Sequence, residues 1–315
     1  MLKQTKILVT GATGFIGANI ARYFFEAGAN VSIFTRKTSN KWRIKDILKD
    51  VSEYSVDILD EQKLKSAILR IQPQIIFHTA VYGGYPFQNK TEKILETNFT
   101  GTLNLLNACR KIEFELFVNT GSSSEYGIKA QAIKETDLPE PITDYGAGKA
   151  LATLYCQAVA RREKRPIVIL RLFSPYGYYE ESGRLIPSLI LSCLHDRNPQ
   201  ASSFSSVRDF IFIEDVMDAY MKTIENKDVV GGEIFNIGCG KQHSVGEVMD
   251  TIIKLTGNKV KPDWGSISNP RIEPNVWQAD ISKAKKILNW EPKYELVQGL
   301  KKTLNWFREN KGMYK

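Results

Sequence analysis

Tyr145 and Lys149 lie four residues apart in the run YGAGK, just after Pro141 and at the head of GKALATLYCQAVARRE, whose periodicity is helical. An i, i+4 pair shares one helix face. A free tyrosine has a pKa of about 10 and is a sluggish acid or base at neutral pH unless a nearby cation favours its phenolate. Lys149 can be that cation. Ser122, in NTGSSSEYG, follows the strand-like run ELFVNTG. A hydroxyl there can hydrogen-bond the same substrate oxygen that Tyr145 protonates or deprotonates. Alone, the tyrosine–lysine spacing is common on protein surfaces. With the serine upstream, Ser122, Tyr145 and Lys149 form the parts of a proton-transfer site.

A second constellation supplies a redox partner. KILVTGATGFIGANIARYFFEAG sets Gly11, Gly14 and Gly17 between a strand and a helix, with Thr13, Phe15 and Ile16 on the same turn. Glycines there let the backbone approach a pyrophosphate, and a helix N-terminus presents free N–H groups to it. The next strand, NVSIF, leads into Thr35, Arg36 and Lys37, where an NAD-specific site usually carries an acid for the ribose hydroxyls. A guanidinium suits a 2′-phosphate instead. NADP(H) is therefore expected, with NAD(H) the alternative. Asp57 and Ile58 fall where the adenine would lie, and Thr79 and Ala80, after QIIFH, where a cofactor channel would run.

These residues need a scaffold that gathers strand ends. KILVT, NVSIF, QIIFHTA, ELFVNTG and PIVILRL alternate with helix-length segments, the order of an α/β, doubly wound parallel sheet of the Rossmann kind. Ligands of such a sheet sit beyond the carboxyl ends of its strands. Residues 1–173 are expected to form the dinucleotide-binding domain. A smaller substrate-binding domain, mainly 174–315, begins at SPYGYYEESGRLIP and is interleaved with the first near 207–237, where VRDFIFIEDVMDAYMKTI and EIFNIG read as strand–helix and strand. His78 lies inside a strand and reads as a core residue.

With 43% hydrophobic and 25% charged residues the chain falls in the ordinary globular range. No apolar run approaches the ~18 residues of a membrane span, and no export signal is visible, so a cytoplasmic protein is expected. Cys109, Cys156, Cys193 and Cys239 lack metal-ligand or disulfide-framework spacing, so no metal is expected. The net charge of +8 is dispersed among acids, without a nucleic-acid-binding motif. The basic tail, with Lys301, Lys302, Arg308, Lys311 and Lys315 around Leu304, Trp306 and Phe307, reads as an amphipathic terminal helix.

Taken together, TGATGFIG, HTA, ETNFTGTLNLL with Asn98, SSSEYG, YGAGK, RLFSPYG, RDFIFIEDV and QADISKAKKILNWEP resemble the extended short-chain dehydrogenase/reductases, the NAD-dependent epimerase/dehydratase group, over nearly the whole chain. The resemblance implies an enzyme acting on a nucleotide-diphosphate-linked sugar. It assigns catalysis to Ser122, Tyr145 and Lys149, cofactor contact to Asn98, and the substrate diphosphate to Arg208 and Arg271, either of which could equally be a structural ion-pair partner. Ser174 stands where relatives often carry Asn. Tyr82, with Tyr85 and Phe87, is placed to pack against the sugar, and Ser123 to contact it.

Dehydratases of this kind carry an acidic pair just after the catalytic hydroxyl residue. Here those positions are Ser123 and Ser124, with Glu125 one place late, which argues against dehydration. Arg36 favours an NADPH-dependent 4-ketoreductase of a 4-keto-6-deoxy sugar. SSSEYG is similar to reductases that make GDP-rhamnose, and HTAVYGGY with RDFIFIEDV to those that make CDP-abequose or CDP-paratose. The alternatives are an NAD-dependent 4-epimerase and a catalytically inactive dinucleotide-sensing regulator. Relatives pair as homodimers, and the helices expected over 98–110 and 145–162 offer Leu103, Leu106, Leu151 and Leu154 to a partner.

Overall fold

The computed structural model describes residues 2–85, 87–257, 259–266 and 273–314. Seven strands form one parallel sheet: β1 (Lys6–Thr10), β2 (Asn30–Thr35), β3 (Ser52–Ser55), β4 (Ile75–His78), β5 (Leu116–Ser122), β6 (Ile167–Leu172) and β7 (Ile234–Ile237). Their order is β7-β6-β5-β4-β1-β2-β3. The chain winds outward from β1 in both directions, so the strand order reverses between β1 and β4 and opens a crevice at their carboxyl ends.

Alternation along the strands explains the layers, because successive side chains face opposite sides of a sheet. Leu8, Ile76, Phe117 and Ile169 point into one buried cluster, under α2 (Glu61–Ile71), α4 (Gly101–Cys109) and α5 (Asp144–Glu163). Val9, Phe77, Val118 and Leu170 point into the other, shared with α1 (Phe15–Glu26) and the C-terminal helices. The short α3 (Thr91–Leu95) enters α4 through a π-helical turn, Glu96–Thr100, that carries Asn98. Thr143 caps α5 by accepting the Gly146 N–H at 3.0 Å, which fixes where the helix starts and hence where Tyr145 sits.

Beyond β6 lie α6 (Leu185–Leu194), α7 (Ile213–Glu225), α8 (Val245–Leu255), α9 (Ser282–Leu288) and α10 (Leu296–Glu309). Pro175–Tyr176 pairs in parallel with Ile211–Phe212, bringing the segment after β6 back beside the sheet. The basic tail is helical as expected: α10 buries Leu300, Leu304 and Phe307. β3 was not visible as a strand in the sequence. It is the edge strand, and its residues SEYS are mostly exposed and polar.

Of the four leucines offered to a partner, Leu106 is core, 4% exposed, and Leu103 is half-buried, whereas Leu151 and Leu154 are 43% and 53% exposed. Among the described residues no helix is long and apolar enough to cross a membrane, and no group of His, Cys, Asp or Glu is set to hold a metal ion. All four cysteines are free thiols.

Candidate active site

The glycine turn after β1 has the shape of a phosphate cradle. Gly11 holds φ +70°, a left-handed conformation, and a Cβ there would lie 2.6 Å from the Ala80 backbone nitrogen. A Cβ at Gly17 would run into the Gly11 carbonyl and the Thr79 hydroxyl. Gly14 begins α1 with no side-chain cap, and no acid stands in the first turn. The amides over Phe15 and Ile16 are thus left for an anion, and the residues present fit a dinucleotide pyrophosphate. The Thr13 carbonyl is engaged from outside by Arg43, which also donates to the Tyr179 carbonyl at 2.7 Å and the Glu181 carboxylate at 2.7 Å. This 5%-exposed arginine ties the turn to the segment after β6. Its partners lie 30 to 138 residues away, so no local signal marks it.

Arg36 and Lys37 are exposed and, among the described residues, make no ion pair. Ser39 closes the turn that carries them, its hydroxyl accepting the Arg36 N–H at 2.9 Å. Thr35 bonds Glu53, which Lys41 neutralises. Asp57 accepts the Leu59 N–H at 3.0 Å, and Ile58 packs where a Cβ on Gly101 would collide with it.

A hydrogen-bonded chain runs across the crevice floor. Thr10 Oγ1 meets His78 Nδ1 at 2.7 Å, His78 Nε2 meets Thr102 Oγ1 at 2.9 Å, and Thr102 donates to the Asn98 carbonyl at 2.7 Å. Thr102 gives its one proton to Asn98, so it accepts from His78 Nε2–H, and Nδ1 accepts from Thr10. Burial first, and the Lys149 charge second, push His78 down to about 3. His78 is a neutral core residue. The Asn98 amide bonds the Tyr82 N–H and carbonyl, each at 2.9 Å, and so pins the loop after β4. Thr79 donates to the Thr10 carbonyl at 2.6 Å, and the Ala80 N–H reaches Thr10 Oγ1 at 3.3 Å.

Above this floor Tyr145 stands beside Ser122, and Lys149 lies near Glu125 and His78. The glycines of YGAGK make that possible: a Cβ on Gly146 would collide with the Ser124 carbonyl, and one on Gly148 would lie 3.3 Å from Asn98 Cβ. Tyr145 is half-buried. Burial raises its pKa, while a hydrogen bond with Ser122 and the charge of Arg184 pull it down. The sequence had suggested Lys149 for that lowering influence. Lys149 is instead 5% exposed, its pKa lowered by burial and supported chiefly by Glu125. Glu125, 0% exposed, accepts the Ser122 N–H at 2.8 Å and Arg171 Nε at 2.7 Å.

Residues 7–238 match the model of the NAD dependent epimerase/dehydratase family. The chain belongs to that family. It is 29% identical to a UDP-glucuronate 4-epimerase of Thermodesulfobacterium geofontis over 96% of each chain. Its fold superimposes on the Bacillus cereus UDP-glucuronic acid 4-epimerase, solved with UDP-glucuronic acid and NAD, with TM-score 0.87, 27% identity and coverage of 97% and 99%. It also matches the Thermotoga maritima UDP-glucose 4-epimerase, solved with UDP-glucose, with TM-score 0.87, 26% identity and coverage of 96% and 98%.

For a member of the epimerase/dehydratase family, the rest of the cleft is informative. Ser123 is buried and Ser174, after β6, half-buried. Tyr82 is half-buried beneath Lys93, whose ammonium lies 4.7 Å from its ring, and Tyr85 stacks on the exposed Phe87. Arg208, to which the resemblance gives the diphosphate, makes a two-pronged ion pair with Glu273 at 2.7 and 3.1 Å, the structural alternative weighed for it. Arg271 lies outside the described residues. Sequence reading passed over Arg184, which donates to the Gly84 carbonyl at 3.2 Å; a Cβ on neighbouring Gly83 would lie 3.4 Å from Tyr145 Cδ2. Glu125, close after Ser122, has both oxygens engaged and no exposure.

Proposed function

We propose that this protein interconverts the C4 epimers of a UDP-linked sugar using a retained NAD. The observation that carries the reading is Tyr145 at the head of α5 beside Ser122 at the end of β5, with Lys149 buried one helix turn on, at the carboxyl end of a sheet whose first turn fits a dinucleotide. The curated relative and solved structures named above, all 4-epimerases, support it. Gly11, Gly14 and Gly17 with the α1 amides hold the pyrophosphate, Asp57 and Ile58 the adenine side, and Thr79 and Ala80 the channel. A bound nicotinamide supplies the acceptor for the carbon-4 hydride and its return to the opposite face. Tyr145 as phenolate takes the carbon-4 hydroxyl proton and returns it to the epimeric alkoxide. Ser122 holds that oxygen, and its hydrogen bond together with the charge of Arg184 favours the phenolate. The oxidised and reduced states balance within one turnover.

A 4-ketoreductase consuming NADPH is the second reading, favoured by the exposed Arg36 and Lys37 after β2. Arg36→Ala separates the two. If the guanidinium binds a 2′-phosphate, the replacement weakens NADPH by up to about 3 kcal/mol and scarcely changes NADH; an unaltered affinity ratio leaves the epimerase. Leu151 and Leu154 on α5 support a homodimer through that helix, and light scattering showing only monomer at micromolar concentration contradicts it.

A further inference from the structure

Behind Ser122 lies a fully buried ion pair. Glu125 and Arg171 are 0% and 1% exposed. Burying two charges is costly unless geometry and further hydrogen bonds compensate; here the packing makes room for the pair, while Arg171 Nη1 has no hydrogen-bond partner among the described residues. Gly121 stands opposite Arg171 in the β5–β6 register. A Cβ on it would lie 2.8 Å from Glu125 Oε1 and 3.0 Å from Arg171 Cγ, so the glycine leaves room for the pair. The guanidinium lies 4.3 Å from the Tyr126 ring, and Tyr126 donates to Asn236 on β7 at 2.7 Å. The pair is thereby fastened to β5, β6 and β7.

Its other end governs Ser122. Glu125 Oε1 takes the Ser122 N–H, while Ser122 Oγ accepts the Ser124 N–H at 3.2 Å. With that lone pair occupied, the hydroxyl proton is left to donate toward Tyr145 or a substrate oxygen.

We propose that Glu125 is the positioning residue of the site, fixing the Ser122 hydroxyl through its backbone and setting an Arg171-paired carboxylate beside Lys149 and Tyr145. The role rests on the Tyr145 proton transfer proposed above. The groups acting on Tyr145 are Ser122 and Glu125 from the end of β5, Arg184 from the segment after β6 and Tyr85 from the loop after β4. Those facing Lys149 are Glu125, Cys156 on α5 and neutral His78 on β4. Glu125 raises both Tyr145 and Lys149, so removing its charge lowers both.

The test is the pH profile of kcat/KM for Glu125→Gln against the wild-type holoenzyme. The profile moves toward lower pH by about one unit, with kcat down roughly 10- to 100-fold and KM for the sugar nucleotide unchanged. Arg171→Lys keeps both charges but loses the guanidinium geometry, so kcat falls while the profile stays in place. A Glu125→Gln profile at the wild-type pH, however low its kcat, overturns the proposal. If that variant does not fold, an undiminished kcat in Arg171→Lys overturns it instead. Phenolate absorption titration of the cofactor-bound protein, with Tyr145→Phe subtracted, reads the same shift without turnover. It therefore tests Glu125 even if no UDP-sugar proves to be a substrate, the outcome that sinks the functional reading alone.

Discussion

The floor and the wall of the cleft are built differently. On the floor, Thr10, His78, Thr102, Asn98 and the Tyr82 backbone form one bonded chain, and Glu125, Arg171 and Ser122 another. On the wall, Phe87 is 72% exposed, Arg184 stands 3.8 Å from Glu180, and Arg208 grips Glu273. The floor groups are buried and bonded within the fold, whereas the wall groups are half-buried or exposed and pair with one another. Proton transfer needs geometry fixed in advance. Substrate choice belongs to the loops that can exchange partners.

The largest effect expected from this contrast is on the floor. Tyr145→Phe lowers turnover by roughly 100-fold or more, the scale of a lost general acid–base group, with cofactor binding retained. Near-normal turnover would remove the distinction between floor and wall. On the wall, Arg208→Gln raises KM about 10-fold, equivalent to about 1.4 kcal/mol, with kcat within about twofold. A fall in kcat at constant KM would move Arg208 to the floor.

A smaller effect concerns Glu180. Burial raises its carboxyl to about 8, against the lowering influence of Arg184, the Gly177 amide and Arg43. One of its oxygens has no hydrogen-bond partner among the described residues. A folded-state pKa above the unfolded ~4.3 means that the native state binds the extra proton, so this group's contribution falls as pH rises from about 4 to about 8. Glu180→Gln is therefore more stable than wild type at pH 8, by about 1 kcal/mol or more, and equal to it near pH 4, as urea unfolding at the two pH values will show. A difference independent of pH would mean that Glu180 is charged in the folded wall.

The same contrast governs what could be read in advance. Gly11, Gly14, Gly17, Ser122, Tyr145 and Lys149 lie at strand ends or one helix turn apart, so local spacing announces them. Strand alternation revealed the sheet except for β3, whose exposed SEYS lacks an apolar face. Arg43 and Arg171 went unread because their partners are 138 and 46 residues away, and although an ion pair was one role foreseen for Arg208, its partner Glu273, 65 residues on, was not. Helical spacing offered Leu106 to a partner subunit, but it cannot say which apolar stripe the chain itself covers, and here Leu106 is 4% exposed.

The most direct test of the proposed chemistry is to incubate the protein as purified with UDP-glucose or UDP-glucuronic acid, adding neither cofactor nor reductant, and to follow carbon 4 by proton NMR. A 4-epimerase brings each sugar to equilibrium with its 4-epimer while bound NAD stays constant. No interconversion, together with one NADPH consumed for each 4-keto sugar supplied, contradicts it and establishes the ketoreductase.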